Sequence, residues 1–305
     1  MLDVCLLGTG GMMPLPGRWL TSLITRLNGS SLLIDCGEGT QIAMRQRGIS
    51  PHSIDTICFT HYHGDHISGL PGLLLSMGNG ERTKSVTLIG PKGLKHVVNS
   101  LRVIAPELPF SLEFIELSEE EQTICLNGYE IDAFRVNHNI VCYGYSLRVR
   151  RQGRFSVECA RAHDVPMKLW SRLQKGETIE EDGKRYVPEM VIGPERKGIK
   201  VLYSTDTRPV DAIVNYGKDA DLMICEGMYG DPDKAKKARE HKHMTMEEAA
   251  KLAQRAQPKQ LWLTHFSPSM IHPEQYLSAV REIYDNTRIV KDGRMVTIDF
   301  EKEEV

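Results

Sequence analysis

The feature that most constrains this chain is a rhythm: short apolar runs that keep ending in a residue able to carry chemistry. Residues 4–7, 31–34, 56–60, 86–89, 200–203, 222–225 and 260–264 are rich in Val, Ile and Leu and stop at or near Gly, Asp, Thr or His. Helix-type patterns at 40–47, 94–101 and 246–256 lie between them. Thr245, followed three residues later by Glu248, has the pattern of a capping box at the start of the last helix. Strands alternating with helices specify a layered α/β domain, because each element has an apolar face to cover. The 305 residues suffice for one large domain or two modest ones.

Several classes are set aside early. No apolar run approaches the roughly 20 residues that a membrane helix needs. The opening Met1-Leu2-Asp3-Val4-Cys5-Leu6-Leu7-Gly8 has no basic region before an apolar stretch, so it reads as a first strand and not as a signal peptide. The seven cysteines are dispersed and form no CxxC pair, which fits buried thiols in a reducing cytosol. A soluble, cytoplasmic protein is expected. The net charge of -2 excludes nothing about nucleic acid, because a local basic patch can bind phosphate. Such a patch opens the stretch 148–200, where Arg148, Arg150, Arg151, Arg154, Arg161, Lys168 and Arg172 face only Glu158 and Asp164. Rich in charge, Gly and Pro, the stretch reads as an insertion projecting from the body.

The chemistry concentrates in His61-Tyr62-His63-Gly64-Asp65-His66, directly after the run 56–60. Imidazole and carboxylate are ligands for zinc and related ions. His61 and His63, two apart, can face one point, while Asp65 and His66 can curl round to a second. Ligand sites in α/β sheets commonly lie at the carboxyl ends of strands. His138, Asp206 and His265 also follow β-type runs, which makes them the candidates to complete a two-metal site.

The chain resembles the metallo-β-lactamase superfamily, and within it the ribonuclease Z family of tRNA 3′-processing endonucleases. The resemblance rests on Leu7-Gly8-Thr9-Gly10, Leu33-Ile34-Asp35-Cys36-Gly37-Glu38-Gly39-Thr40, the HxHxDH run, Gly69-Leu70-Pro71-Gly72-Leu73, Asp206-Thr207-Arg208 and Thr264-His265-Phe266-Ser267. It implies a single domain over 1–305, an αββα sandwich with an inserted flexible arm at about 148–200 that grips the tRNA elbow. It implies two zinc ions per subunit, with manganese open: His61, His63 and His138 on one, Asp65, His66 and His265 on the other, Asp206 bridging. Asp35 would orient a ligand imidazole. Asp65 would accept a proton, and His243, in a mobile loop, would donate one to the leaving ribose oxygen. Arg150, Arg151 and Arg154 of the arm, with Arg208, are the expected contacts to precursor tRNA. A homodimer is implied, one subunit's arm serving its partner. In three places the sequence departs from the family: the central arm reads Val165-Pro166-Met167-Lys168-Leu169-Trp170 instead of carrying a Gly-Pro pair, the loop 11–19 differs in detail, and Ser68 stands where a bulky residue is usual.

Two metals about 3.5–4 Å apart suit phosphodiester hydrolysis. Alternatives on the same scaffold are a hydrolase of small phosphodiesters, thioesters or sulfate esters, and a nucleic-acid-binding protein with a decayed site. The basic arm favours a macromolecular substrate, and the complete donor set argues against decay.

Overall fold

The structure is a computed structural model that describes residues 1–301. The chain divides into two compact units, residues 1–148 with 200–299, and residues 149–199 with Phe300 and Glu301. The strands are β1 (Leu2–Gly8), β2 (Ser22–Leu27), β3 (Ser30–Ile34), β4 (Ile54–Cys58), β5 (Val86–Pro91), β6 (Leu112–Leu117), β7 (Glu121–Leu126) and β8 (Tyr129–Arg135). They continue with β9 (Tyr143–Arg151), β10 (Ile179–Glu181), β11 (Lys184–Tyr186), β12 (Arg196–Ser204), β13 (Leu222–Glu226), β14 (Leu261–Thr264), β15 (Thr287–Ile289) and β16 (Arg294–Ile298). The helices are α1 (Thr40–Gln46), α2 (Gly64–Ile67), α3 (Leu70–Asn79), α4 (Leu94–Leu101), α5 (Val157–Ala162), α6 (Trp170–Gln174), α7 (Asp211–Gly217), α8 (Ala235–Glu240), α9 (Met246–Ala256) and α10 (Leu277–Ile283).

In the larger unit, one seven-stranded sheet runs β16-β1-β2-β3-β4-β5-β6 and a second runs β15-β14-β13-β12-β9-β8-β7. Helices α1, α3 and α4 cover the first sheet, where Met44, Leu70, Leu74 and Val98 pack with Leu33, Ile57 and Leu88. Helices α7, α9 and α10 cover the second, where Ile213, Ala249, Ala253 and Val280 pack with Leu202, Met223 and Leu263. Successive side chains of a strand point to opposite faces. Leu32, Ile34 and Cys58, the neighbours of those helix-facing residues, are also fully or almost fully buried, so they fill the space between the sheets. Three polar contacts cross that space: Thr21 Oγ1 to Tyr203 Oη at 3.2 Å, Thr25 Oγ1 to Tyr129 Oη at 3.0 Å, and Tyr145 Oη donating to the Phe59 carbonyl at 2.7 Å. The layers are helix, sheet, sheet, helix: the αββα sandwich expected from the sequence.

β3, β4 and β5 are parallel neighbours, and so are β12, β13, β14 and β15. Their carboxyl ends therefore line up within each sheet. Buried on both faces, such strands read as continuous apolar runs. α9 starts with the capping box expected: the Glu248 amide donates to Thr245 Oγ1 at 3.2 Å and the Thr245 amide to Glu248 Oε2 at 2.9 Å.

The smaller unit has an apolar core of its own, built from Ala160, Val165, Leu169, Leu173, Ile179, Tyr186 and Val191. Phe155 and Ile192 form an antiparallel bridge at its neck, and the Gly193 amide donates to the Arg154 carbonyl at 2.8 Å. Some of its charge is paired internally, Lys168 with Glu181 at 2.9 Å and Arg172 with Glu177 at 2.8 Å. The stretch read as a charge-rich excursion is thus folded around apolar residues that its charges obscured. Five of the seven free cysteines are buried, whereas Cys125 is exposed and Cys159 partly so. No helix among the described residues is long and apolar enough to cross a membrane.

Candidate metal centre

The candidate donors sit just past strand ends, as the sequence suggested. Asp35 follows β3, His61 and His63 follow β4, His138 follows β8, Asp206 follows β12, and His265 follows β14. Asp65 and His66 lie in the single turn of α2. Asp35, Asp206 and His265 take left-handed backbone angles, with φ of 60°, 52° and 55°. Such values are uncommon away from glycine and mark positions that the surrounding fold must enforce. They turn each side chain off the strand direction. Gly11 makes room beside them: a Cβ there would lie 2.6 Å from the His265 ring.

Three overlapping groups of donors result, one of them Asp206 with His243 and His265. His61, His63, His138 and Asp206 can point their ligand atoms at one position, and Asp65, His66 and His265 at another. His61 Nε2 and His138 Nε2 lie 3.0 and 3.3 Å from His63 Nδ1. His66 Nε2 lies 3.2 Å from His265 Nε2, and His265 Nε2 lies 3.4 Å from Asp65 Oδ2. Asp206 stands between them. Its Oδ2 is 3.7 Å from both His61 Nε2 and His138 Nε2, and its Oδ1 is 3.1 and 3.0 Å from His66 Nε2 and His265 Nε2.

These residues fit a metal for a physical reason. His265 Nδ1 is buried without a hydrogen-bond partner, and buried Asp206 Oδ1 faces only the ring nitrogens of His66 and His265. Orphaned polar atoms in the interior are costly, and a carboxylate flanked by converging imidazole nitrogens is satisfied by a cation. The nitrogen and oxygen donor set suits a divalent ion. Burial, with His66 nearby, holds His61 well below the ordinary imidazole range, which favours the neutral, ligating form. Burial also opposes a charge on His66, but Asp206, Asp35 and Asp65 outweigh it and hold its pKa well above that range. The proton then stands where a metal would bring positive charge.

The imidazoles are aimed from behind. His66 Nδ1 is 2.8 Å from Asp35 Oδ2, and Asp35 also accepts from the Thr60 amide at 2.8 Å. His138 Nδ1 is 3.2 Å from the Lys242 carbonyl, and His61 Nδ1 is 3.0 Å from Thr60 Oγ1. Partners of this kind fix the tautomer that leaves the other nitrogen for a metal. Asp65 Oδ2 accepts from the Met12 amide at 2.7 Å.

His243 is placed differently from expectation. It is not in a mobile loop but buried beside the donors, with Nδ1 2.9 Å from Glu226 Oε2. Burial works against its cation, yet Glu226 prevails and the pKa is pushed up to about 9. The other Glu226 oxygen, Oε1, accepts from the Thr207 amide at 2.6 Å. Glu226 escaped sequence reasoning, although a carboxylate closing the apolar run 222–225 obeys the same strand-end rule as the ligands.

Arg208 has partners that the sequence did not show. The sequence suggests an RNA contact, but its guanidinium is held by Glu248, at 3.0 Å from Nη1 to Oε2, and by the His243 carbonyl. It fixes the segment that carries His243. Arg150 and Arg154 are exposed on the smaller unit, and Arg151 donates to the Glu301 carbonyl at 2.7 Å. These three lie outside the donor cluster.

Two family models match the chain, the beta-lactamase superfamily domain over residues 148–266 and Anti-Pycsar protein Apyc1 over residues 2–179. With the sandwich and its strand-end donors, they define the class as a metal-dependent hydrolase of the metallo-β-lactamase fold. Full-length relatives narrow it. A ribonuclease Z from Lachnoclostridium phytofermentans is 64% identical over 304 residues, covering 100% of both chains. One from Lachnospira eligens is 59% identical over 303 residues, covering 99% of this chain and 100% of that one. The crystal structure of the short form of human tRNase Z superposes with a TM-score of 0.70 at 26% identity, covering 98% of this chain and 100% of that one. The chain belongs to the ribonuclease Z family and is a metal-dependent endoribonuclease.

Proposed function

We propose that this endoribonuclease, which releases the 3′ trailer from precursor tRNA, works with two zinc ions held by the two donor groups and bridged by Asp206. Manganese is the alternative ion for the same donors. The observation that carries the reading is the Asp206 carboxylate, which faces His61 and His138 through one oxygen and His66 and His265 through the other. Bound there, the ions supply Lewis acidity toward the scissile phosphate and toward water.

The chain's own residues do the rest. Asp65, anchored by the Met12 amide, accepts the proton of the attacking water. His243 gives its proton to the departing ribose oxygen, and Glu226 keeps that proton in place and the ring oriented. Arg208 and Glu248 hold the His243 segment still. The arm at 148–200 grips the RNA through Arg150, Arg151 and Arg154, which makes affinity salt-dependent. The protein is cytoplasmic, in keeping with its unpaired cysteines, and a homodimer in which one subunit's arm serves its partner.

The test is incubation of purified enzyme with precursor tRNA and, in parallel, with a small chromogenic phosphodiester. Trailer release that is abolished by a chelator and restored by zinc supports the reading. Efficient turnover of the small diester with intact precursor tRNA sinks it. For the dimer, mixing an arm-deleted subunit with a His243→Ala subunit should restore cleavage that neither has alone.

A further inference from the structure

A second charged feature lies in the larger unit, outside the donor cluster. Arg47, Arg281, Arg288, Lys291 and Arg294 line a cavity of about 750 Å³ in which Asp292 is the one acidic residue. Asp292 does not neutralise them. It is partly buried and its carboxylate is occupied, accepting from Thr9 Oγ1 at 2.7 Å and from the Trp19 amide. Among the described residues, none of the five cations forms an ion pair.

The cavity is also built. Arg47 donates to the Asp292 carbonyl at 3.1 Å, and Arg281 Nε to the Thr287 carbonyl at 3.0 Å. These neutral acceptors fix the guanidinium groups without cancelling their charge. Gly293, at φ 74°, lets Arg47 lie against the turn, since a Cβ there would come within 1.8 Å of Arg47 Nε. Five exposed like charges around one open cavity, two of them held, repel one another, and an anion with several charged groups relieves that repulsion.

Its position points to which anion. β15 runs parallel to β14, with Leu263 opposite Ile289. The carboxyl end of β15, from which residues 290–292 continue, therefore lies at the same sheet edge as His265, and Asp292 accepts from Thr9, whose carbonyl accepts from the Phe266 amide. The cavity begins at the same edge of the sandwich as the metal centre. We propose that it binds backbone phosphates of the precursor tRNA flanking the cleaved bond, as a subsite separate from both the metal centre and the arm. This rests on the reading of the chain as a tRNA-processing enzyme.

The test compares wild-type enzyme with a triple variant, Arg288→Glu, Lys291→Glu and Arg294→Glu, over a salt series. The proposal expects kcat/KM for precursor tRNA to fall at least tenfold. The slope of its logarithm against log salt should become shallower by about 1 for each phosphate that is no longer neutralised. Turnover of the small chromogenic diester should stay unchanged. A double variant, Arg288→Gln with Arg294→Gln, should show the same trend more weakly, which guards against a misfolded triple variant. An unaltered slope in both variants overturns the proposal. So does inhibition of the wild type by inorganic phosphate or a mononucleotide, relieved in the variants while precursor tRNA is cut as before, because that marks a small-anion site. Wild-type enzyme that leaves precursor tRNA uncut refutes the functional reading itself, and this one with it.

Discussion

In the proposed mechanism His243 and Glu226 divide one task, the first carrying a proton and the second keeping it there. Replacing His243 with Ala should slow precursor tRNA cleavage by roughly 10²–10⁴-fold, the usual contribution of a general acid. Zinc content should not change, and a nitrophenyl diester, whose leaving group departs as a stable anion, should still be hydrolysed. Lost zinc would show that the ring is structural. Glu226→Gln should follow the same pattern more mildly. Asp35→Asn acts on the other side of the centre, since it weakens the hold on His66. Chelator competition should reveal a metal affinity lower by about 10–100-fold, and an unchanged affinity would remove Asp35 from the support of the ring. The candidate ligands were legible in the sequence because histidine and aspartate directly after apolar runs have few other uses. Glu226 was not, because a single glutamate looks like the end of a strand. The tie of Arg208 to Glu248 was not legible either, because a sequence shows a charge but not its partner.

At the scale of elements, the seven apolar runs each fall on a strand, whereas β2, β6, β7, β9 and β15 were not picked out. β4 is buried along its whole length, Asp55 and Thr56 included, whereas β7 alternates exposed and half-buried residues and resembles a polar loop. The arm was located by its charge, but its fold was hidden, because Val165, Leu169, Leu173 and Ile179 are scattered among lysines, arginines and glutamates. The basic cavity was invisible for a related reason: Arg47 joins its partners across more than two hundred residues. α9 shows how an element couples stability to the site. Glu248 closes the capping box and also holds Arg208. Thr245→Ala should cost about 1 kcal/mol, the usual loss of an N-cap, read as a lower urea midpoint with unchanged m. A variant with wild-type stability would show that the cap is redundant.

The whole molecule offers two measurements. The neck of the arm is closed by the Phe155–Ile192 bridge, so a short Gly-Ser linker can replace residues 156–191 without stretching the chain. That excision should raise KM for precursor tRNA and spare the small diester; unchanged RNA affinity would remove the arm from recognition. Metal removal should lower the melting temperature, because an ion bound only by the folded state adds about 4 kcal/mol at a thousandfold excess over its Kd. The donors come from residues 61–66, 138, 206 and 265, so the site is spread along the order of synthesis. A chain emerging from a ribosome can gather its first histidines early, yet the bridging carboxylate arrives only after two thirds of the protein has been made, and His265 later still. The donor set is therefore complete only late in synthesis, and a chain that stops before Asp206 lacks the carboxylate that the proposed mechanism shares between the two groups.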